Sequence, residues 1–117
     1  MALAELHHET RSSIVFAAVS GEIDMSNAEE LREALTGAIP NGAHALVLDL
    51  SAINYLDSAG IHLIYRLRDS LHRRGQGLRV VIPDHSPIND TLRLAGLQRG
   101  EEMVSTVQAA ESALGVG

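Results

Sequence analysis

Cysteine and lysine are both absent from this chain of 117 residues, and each absence excludes a group of functions. Without cysteine there are no disulfides and no thiolate chemistry, although this absence is equally natural in reducing and oxidising compartments. Without lysine there is no Schiff base and no P-loop lysine, so every basic residue other than histidine is arginine. Composition alone therefore removes several enzyme classes.

The chain also lacks long apolar runs and an excess of positive charge. No run approaches the roughly 20 apolar residues of a membrane-spanning helix. The N-terminus has neither the basic start nor the apolar stretch of a signal peptide. We therefore expect a cytoplasmic protein without a membrane partner. The net charge of −6 opposes nonspecific binding to phosphate backbones, so a direct nucleic-acid partner is not expected either.

What is present fits one folded domain. Apolar residues make up 45% of the chain, enough to offset the entropy lost on folding, and they occur in short runs. A chain of this length can bury one core without disulfides or metals. We predict a single domain over residues 1–117, without repeats or linkers.

Short β-branched or apolar runs alternate with amphipathic repeats along the chain. Residues 45–48 form an apolar run too short for a helix, as expected for a central strand covered on both faces. The alternation indicates right-handed crossovers and a partly parallel sheet, which an initial hairpin makes mixed. The predicted fold class is α/β, with a small mixed four- to five-stranded sheet flanked by about four helices. The predicted strands cover residues 3–9, 13–19, 45–48, 78–82 and 103–104.

The ends of the helices are predicted from capping patterns. Ser26 and Ser105 each begin a capping-box spacing. Ser86 followed by proline is typical of an N-cap with proline at the first helical position. Gly75 and Gly96 are placed to end the second and third helices. The second helix is predicted to start near Ser58.

The most informative stretch is residues 54–61, where an Asp-Ser pair and a glycine stand at the start of the second helix. A phosphate on Ser58 would lie near free backbone N–H groups and the positive end of the helix dipole. It would add roughly −1.5 to −2 charges beside Asp57 and repel a partner bound there. The plainer interpretation is that Asp57 or Ser58 caps the helix and Gly60 allows a close approach. These residues alone favour the plainer interpretation.

Three motifs taken together resemble the STAS-domain anti-sigma factor antagonists, or anti-anti-sigma factors. They are Gly-Glu-Ile-Asp at residues 21–24, Asp-Ser-Ala-Gly-Ile at 57–61 and Leu-Arg-Leu-Ala-Gly-Leu at 92–97. The resemblance runs from about residue 14 to residue 114. It implies a STAS-type fold and a non-enzymatic bacterial phosphoprotein that regulates transcription in a stress response or sporulation. It implies no cofactor and no metal.

The same resemblance implies partners and roles. Unphosphorylated, such a protein binds an anti-sigma factor with serine kinase activity and frees the sigma factor. Phosphorylation of Ser58 releases it, and a metal-dependent serine phosphatase reverses the modification. Asp24 and Asp57 match acidic residues that orient the hydroxyl or contact the kinase, although a turn role explains Asp24 equally well. The implied partner-binding residues are Asp24, Met25, Ser26, Asp57, Ala59, Gly60, Ile61, His62 and Tyr65.

The sequence departs from the family pattern at His62, where members commonly carry a small residue, and at Ala59, where well-known members have a second serine. The departures bear on partner choice more than on fold. One alternative is a STAS scaffold or transport-complex component that regulates no sigma factor. Another is a small hydrolase using Ser58, Asp57 and a histidine. No Gly-x-Ser-x-Gly surrounds Ser58, and a solvated His62 is the favoured interpretation.

Two further groups are interpreted as non-functional. His7 and His8 are adjacent on a predicted strand and point to opposite faces, and no carboxylate cluster joins them, so no metal site is expected. Asp49, at the end of the predicted central strand, could suggest a phospho-acceptor receiver domain. That chemistry uses a lysine, which the chain lacks.

Overall fold

The computed structural model describes residues 4–96 and 102–115. In these residues the chain forms five strands and four helices that largely alternate, and the predicted mixed α/β architecture is confirmed. Leu3 and Leu97, which end two of the predicted segments, lie outside the described residues. The strands are β1 (Ala4–Arg11), β2 (Ile14–Ile23), β3 (Ala45–Leu56), β4 (Gly77–Val81) and β5 (Met103–Val104), and the helices are α1 (Ala28–Ala38), α2 (Ser58–Arg73), α3 (Asn89–Leu94) and α4 (Val107–Ala113).

The strands follow one another in the sheet in the order β1-β2-β3-β4-β5, so β3 is central as predicted. β1 and β2 form an antiparallel hairpin, and all other neighbours are parallel. The hairpin turns at Ser12 and Ser13, whose φ angles of 51° and 67° match the two-residue turn that suits twisted strands. Because β2 and β3 are parallel, their carboxyl ends meet at one edge of the sheet, where α1 and α2 begin.

The two faces of β3 belong to two cores, because side chains alternate along a strand. Leu46 and Leu48 join the larger core, which is packed against α1 and α2. Ala45 and Val47 face the other side and pack with Ala110 of α4. The first half of β3 is therefore covered on both faces, as its short apolar run predicted.

Two strands are longer than their sequence patterns predicted. β2 continues to Ile23 and β3 to Leu56, since these two residues still pair in the parallel register. Asp49 consequently lies within β3 and not at its end, which corrects the prediction. Its carboxylate accepts hydrogen bonds from the backbone N–H and the hydroxyl of Ser51, at 2.9 and 2.5 Å. The extension of β3 was not predicted because polar residues follow residue 48, where only one face of the strand is buried.

The predicted start of α1 is wrong. The helix begins at Ala28, and the hydroxyl of Ser26 donates to the carboxylate of Asp24 instead of capping the helix. α3 also begins later than predicted, at Asn89, because Ser86 accepts a hydrogen bond from the N–H of Ile88 within a turn.

The predicted cap of α4 is displaced by one position. The hydroxyl of Thr106 accepts from the N–H of Ala109 at 3.0 Å, whereas Ser105 donates to Asp84 at 3.1 Å. The start of α2 at Ser58 is confirmed, and Gly75 and Gly96 follow α2 and α3 with positive φ angles of 71° and 99°. Within residues 4–96 and 102–115, no helix has both the length and the apolarity that crossing a membrane requires.

Candidate functional site

The loop that joins β2 to α1 is held by side chains of its own. The carboxylate of Asp24 accepts hydrogen bonds from the backbone N–H of Ser26 at 2.9 Å and from its hydroxyl at 2.5 Å. These bonds, the hydroxyl first, lower the pKa of Asp24. The buried side chain of Asn27 accepts from the N–H of Asp24 at 3.0 Å and donates to the carbonyl of Glu22 at 2.9 Å. Asp24 thus has the turn role that its residue type allowed, and Asn27 is a loop-organising residue that the sequence analysis missed.

Asp57 caps α2 and ties it to β2. Its Oδ1 atom accepts from the N–H groups of Ala59 at 2.8 Å and Gly60 at 3.3 Å. Its own N–H donates to the carbonyl of Ile23 at 3.2 Å. The start of α2 is therefore fixed against the end of β2. This arrangement corrects one expectation, because two of the N–H groups that were predicted to be free for a phosphate are already bonded to Asp57.

Ser58 is the first residue of α2, and its side chain is exposed. Neither Asp57 nor any other residue in the ranges 4–96 and 102–115 forms a hydrogen bond with its hydroxyl. Because Asp57 supplies the cap, the Ser58 hydroxyl is not needed to satisfy the helix end. A second molecule can therefore reach this hydroxyl without unfolding the helix.

Gly60 is buried in the first turn of α2. A Cβ atom on this glycine would lie 2.7 Å from Cγ of Leu56 and 3.2 Å from Cγ2 of Ile23. Glycine at this position lets the helix backbone rest on the ends of β2 and β3. The close-approach role predicted for Gly60 is confirmed, because it brings the start of α2 against the two strand ends.

A groove between α1 and α2, with a volume of about 200 Å³, is lined by Ala59, the residue that follows Ser58. Met25 stands at this groove with 84% of its surface exposed, and His62 is exposed as well. The groove is lined by Met25, Ala28, Glu29, Arg32, Ala59, His62, Leu63 and Arg66. Three of the predicted partner-binding residues, Met25, Ala59 and His62, thus come together here.

The charged residues of the groove were not predicted from the sequence as part of the site. The carboxylate of Glu29 accepts from Arg32 at 2.5 Å and lies 3.6 Å from Nη1 of Arg66. The pKa of Glu29 is lowered, chiefly by its hydrogen bond with Arg32. The i,i+3 spacing of Glu29 and Arg32 is a signal that the sequence offers. The contact with Arg66 depends on how α1 packs against α2.

Ile61 and Tyr65 lie on the other flank of α2. Ile61 is partly buried against the larger core. The guanidinium of Arg68 stacks 4.7 Å from the centre of the Tyr65 ring, and a Cβ on Gly96 would lie 3.1 Å from the Tyr65 hydroxyl. The structure therefore divides the predicted partner-binding residues around Ser58, with Tyr65 toward the end of α3 and away from the groove.

The histidines take no part in a recognisable catalytic or metal arrangement. His7 and His8 are both exposed on β1, and His62 makes no hydrogen bond to Ser58. In the two described ranges, 4–96 and 102–115, no three His, Cys, Asp or Glu side chains are grouped to hold a metal ion. What the geometry offers instead is an exposed hydroxyl on a rigid helix start beside a mixed apolar and charged groove.

Comparison with known protein families shows to which family this chain belongs. The family model of the STAS domain matches residues 5–110, most of the chain. The chain belongs to the STAS domain family. In this STAS domain the motif at residues 21–24 lies at the end of β2, and the motif at residues 57–61 lies at the start of α2. The two motifs are in contact, which explains why they occur together.

Relatives of this STAS domain share both its sequence pattern and its fold. It is 28% identical over 100 residues to the anti-sigma-F factor antagonist RsfB of Mycobacterium tuberculosis, covering 85% of this chain and 80% of RsfB. It superimposes on the crystal structure of an anti-sigma factor antagonist from Mycobacterium paratuberculosis with a TM-score of 0.82 and 27% identity, over 95% and 93% of the two chains. The unphosphorylated anti-sigma factor antagonist SpoIIAA has a TM-score of 0.75 at 20% identity, over 97% and 99% of the chains, and shows the same fold. The STAS-type fold predicted from the sequence is confirmed.

Proposed function

We propose that this protein is an anti-sigma factor antagonist that binds its anti-sigma factor when unphosphorylated and is released by phosphorylation of Ser58. Similarity to proteins named anti-sigma factor antagonists, over most of both chains, supports the first part. The observation that carries the second part is the exposed, unbonded hydroxyl of Ser58 at the start of α2. A kinase needs an exposed hydroxyl. A phosphate attached to it would place negative charge next to a docked partner.

The electrostatics of the helix start make Ser58 an effective switch. A phosphate would add roughly −1.5 to −2 charges at neutral pH. The helix dipole favours negative charge at this end, so α2 would remain folded. The N–H groups of Ala59 and Gly60 are occupied by Asp57, so they cannot neutralise the phosphate while that cap is in place. The new charge therefore remains on the surface beside another carboxylate.

The docking surface in this proposal is the groove between α1 and α2 together with Met25. A large apolar side chain that is 84% exposed, in the groove that Ala59 also lines, fits the anchor residues found at the centres of protein interfaces. Arg32 and Arg66 give the groove a basic wall that Glu29 only partly offsets. A partner with an apolar residue and a carboxylate fits this wall, and a phosphate nearby would repel that carboxylate.

The proposal includes a cycle with two enzymes and no catalysis by this protein. The anti-sigma factor would carry the serine kinase activity, and a metal-dependent serine phosphatase would restore the hydroxyl. The cycle would operate in the cytoplasm and control transcription in a stress response or in sporulation. Asp57 would hold the start of α2, and Asp24 and Ser26 the loop between β2 and α1, in the form that the kinase recognises.

The phosphorylation test combines the purified protein with Mg²⁺, ATP and each candidate kinase of its source organism. Intact mass and fragmentation should show one phosphate on Ser58, and Ser58→Ala should remain unmodified. A phosphate on another residue, with Ser58 unmodified, would refute the proposed switch. Stable complexes without any phosphate would favour a STAS scaffold that regulates no sigma factor.

A binding comparison tests the electrostatic mechanism separately. Ser58→Asp should weaken binding to the anti-sigma factor by about tenfold or more, whereas Ser58→Ala should bind like the wild type. Ser112→Asp adds the same charge at an exposed position of α4 and is the matched control. Equal affinities of the Ser58→Asp and Ser58→Ala variants, measured by calorimetry, would rule out the charge mechanism.

A further inference from the structure

β1 ends the sheet, and in the chain as described its outer edge has no partner strand. It pairs along its whole length with β2, from Ala4 opposite Gly21 to Arg11 opposite Ile14, without any shift of register. A regular edge strand presents N–H and C=O groups that another strand can pair with. Natural edges are often protected by proline, a bulge or charged side chains, and β1 has only the last of these.

One face of β1 carries acidic and basic side chains in alternation. Glu5, His7, Glu9 and Arg11 project from the same side because side chains alternate along a strand. Nε2 of His7 lies 3.9 Å from Oε2 of Glu5, and Nε of Arg11 lies 3.1 Å from Oε1 of Glu9. All four side chains are between 52% and 82% exposed. Their exposure lets them exchange these partners for residues of a neighbouring strand, although Arg11 also stacks 4.1 Å from the centre of the Phe16 ring.

We infer that β1 pairs antiparallel with β1 of a second copy of this chain, about a twofold axis at His8. Opposite residues of an antiparallel pair must both direct their N–H and C=O groups toward the partner strand, or both away from it. An odd-numbered residue of β1 must therefore face an odd-numbered residue of the partner strand, and an even-numbered residue an even-numbered one. With His8 opposite the partner's His8, Glu5 faces the partner's Arg11 and Glu9 faces the partner's His7. Glu5 and Arg11 then form two symmetric pairs of opposite charge, and each Glu9 faces a basic His7 side chain.

The neighbouring registers are disfavoured by the same charges. A shift in one direction sets Glu5 against the partner's Glu9 at two symmetric positions. A shift in the other direction sets Glu9 against the partner's Glu9. Like charges directly opposite each other destabilise strand pairs, and larger shifts shorten the paired segment. The charge pattern therefore selects one register.

The resulting dimer leaves the candidate site accessible. β2 separates β1 from β3, and Ser58 begins the helix that follows β3. Because the two copies run antiparallel, their Ser58 residues would lie toward opposite ends of the joined sheet. One dimer would thus present two separate Ser58 sites, and the dimer itself does not depend on the function proposed for them.

Sedimentation equilibrium of the full chain over a range of concentrations tests the dimer. The wild type should show a monomer–dimer equilibrium that weakens as salt is raised. Glu5→Arg and Arg11→Glu each place like charges at two symmetric positions and should weaken dimerisation by about tenfold or more. An equimolar mixture of these two variants should dimerise like the wild type, since the introduced arginine faces the introduced glutamate. Arg93→Glu, on exposed α3, is the control with the same charge change and should have no effect.

Two results would overturn the inference. One is a wild-type protein that stays monomeric at every concentration. The other is a dimer that Glu5→Arg and Arg11→Glu leave unchanged, since its interface must then lie elsewhere. Hydrogen exchange adds a separate readout, because the amides of β1 should exchange more slowly as concentration rises. Recovery of dimers in the mixture would show that both variants are folded.

Discussion

Replacing Gly60 by alanine tests the close contact that sets the position of Ser58. The new Cβ would lie 2.7 Å from Cγ and 2.9 Å from Cδ1 of Leu56, and 3.2 Å from Cγ2 of Ile23. Leu56 and Ile23 are both buried and pair with each other at the ends of β3 and β2. Neither side chain can swing into solvent, so α2 must move away from the sheet or the core must rearrange.

The expected change in the free energy of unfolding is the sum of two opposing effects. Alanine favours helix over glycine by about 1 kcal/mol in a helix interior. Forcing a methyl group into a packed core costs about 1–3 kcal/mol. Gly37→Ala in α1 is the matched control, because a Cβ there would meet nothing within 4 Å. We expect Gly37→Ala to stabilise the protein. The free energy of unfolding of Gly60→Ala should be lower than that of Gly37→Ala by about 1–3 kcal/mol.

Urea denaturation followed by circular dichroism measures this difference, with the slope of the transition checked for each variant. The Gly60→Ala variant should also lose affinity for the anti-sigma factor, because the displaced helix carries Ser58 out of its docking position. Gly37→Ala should retain that affinity. If Gly60→Ala stabilised the protein as much as Gly37→Ala, the inferred contact between α2 and the strand ends would be refuted.

Two further predictions concern the hydrogen bonds at the site. Asp57→Ala should destabilise the protein by about 0.5–2 kcal/mol through loss of the cap on Ala59 and Gly60, and Asp57→Asn should recover most of that loss; equal destabilisation by both would contradict capping. Ser26→Ala should raise the pKa of Asp24 toward 3.8, which NMR titration of its carboxyl measures. Since the folded-state pKa is lowered, the bonds stabilise the fold above pH 3.8, and this contribution is lost as pH falls through the folded pKa. An unchanged titration of Asp24 would show that the hydroxyl of Ser26 is not the cause.

Sequence patterns located the elements better than their ends. The predicted caps at Ser26, Ser86 and Ser105 were wrong because each hydroxyl bonds a nearby group of the loop, such as the carboxylates of Asp24 and Asp84. Capping-box spacing states only that a hydroxyl could reach the helix start. Which bond forms depends on the path of the loop, and that path is set by contacts distant in sequence.

The candidate site could be predicted from the sequence only where its residues are neighbours in the chain. Asp57, Ser58 and Gly60 are consecutive or nearly so, and their roles at a helix start follow from local geometry and from the family resemblance. The basic wall of the groove was not predictable, because Arg66 meets Glu29 only where α2 packs on α1. Tyr65 was predicted to join the same surface, yet the rotation of α2 on the sheet turns it toward Gly96.

The sequence by itself determined the alternation of strands and helices, the central position of the 45–48 strand, the start of α2 at Ser58 and the membership of the STAS family. These features depend on periodicity, glycine placement and motifs that neighbouring residues carry together. Only the tertiary structure decided that Asp57 occupies the N–H groups beside Ser58, that Met25 and His62 share a groove, and that β1 leaves a charged edge open. Such features depend on which elements pack together and at what rotation, and many distant contacts fix both at once.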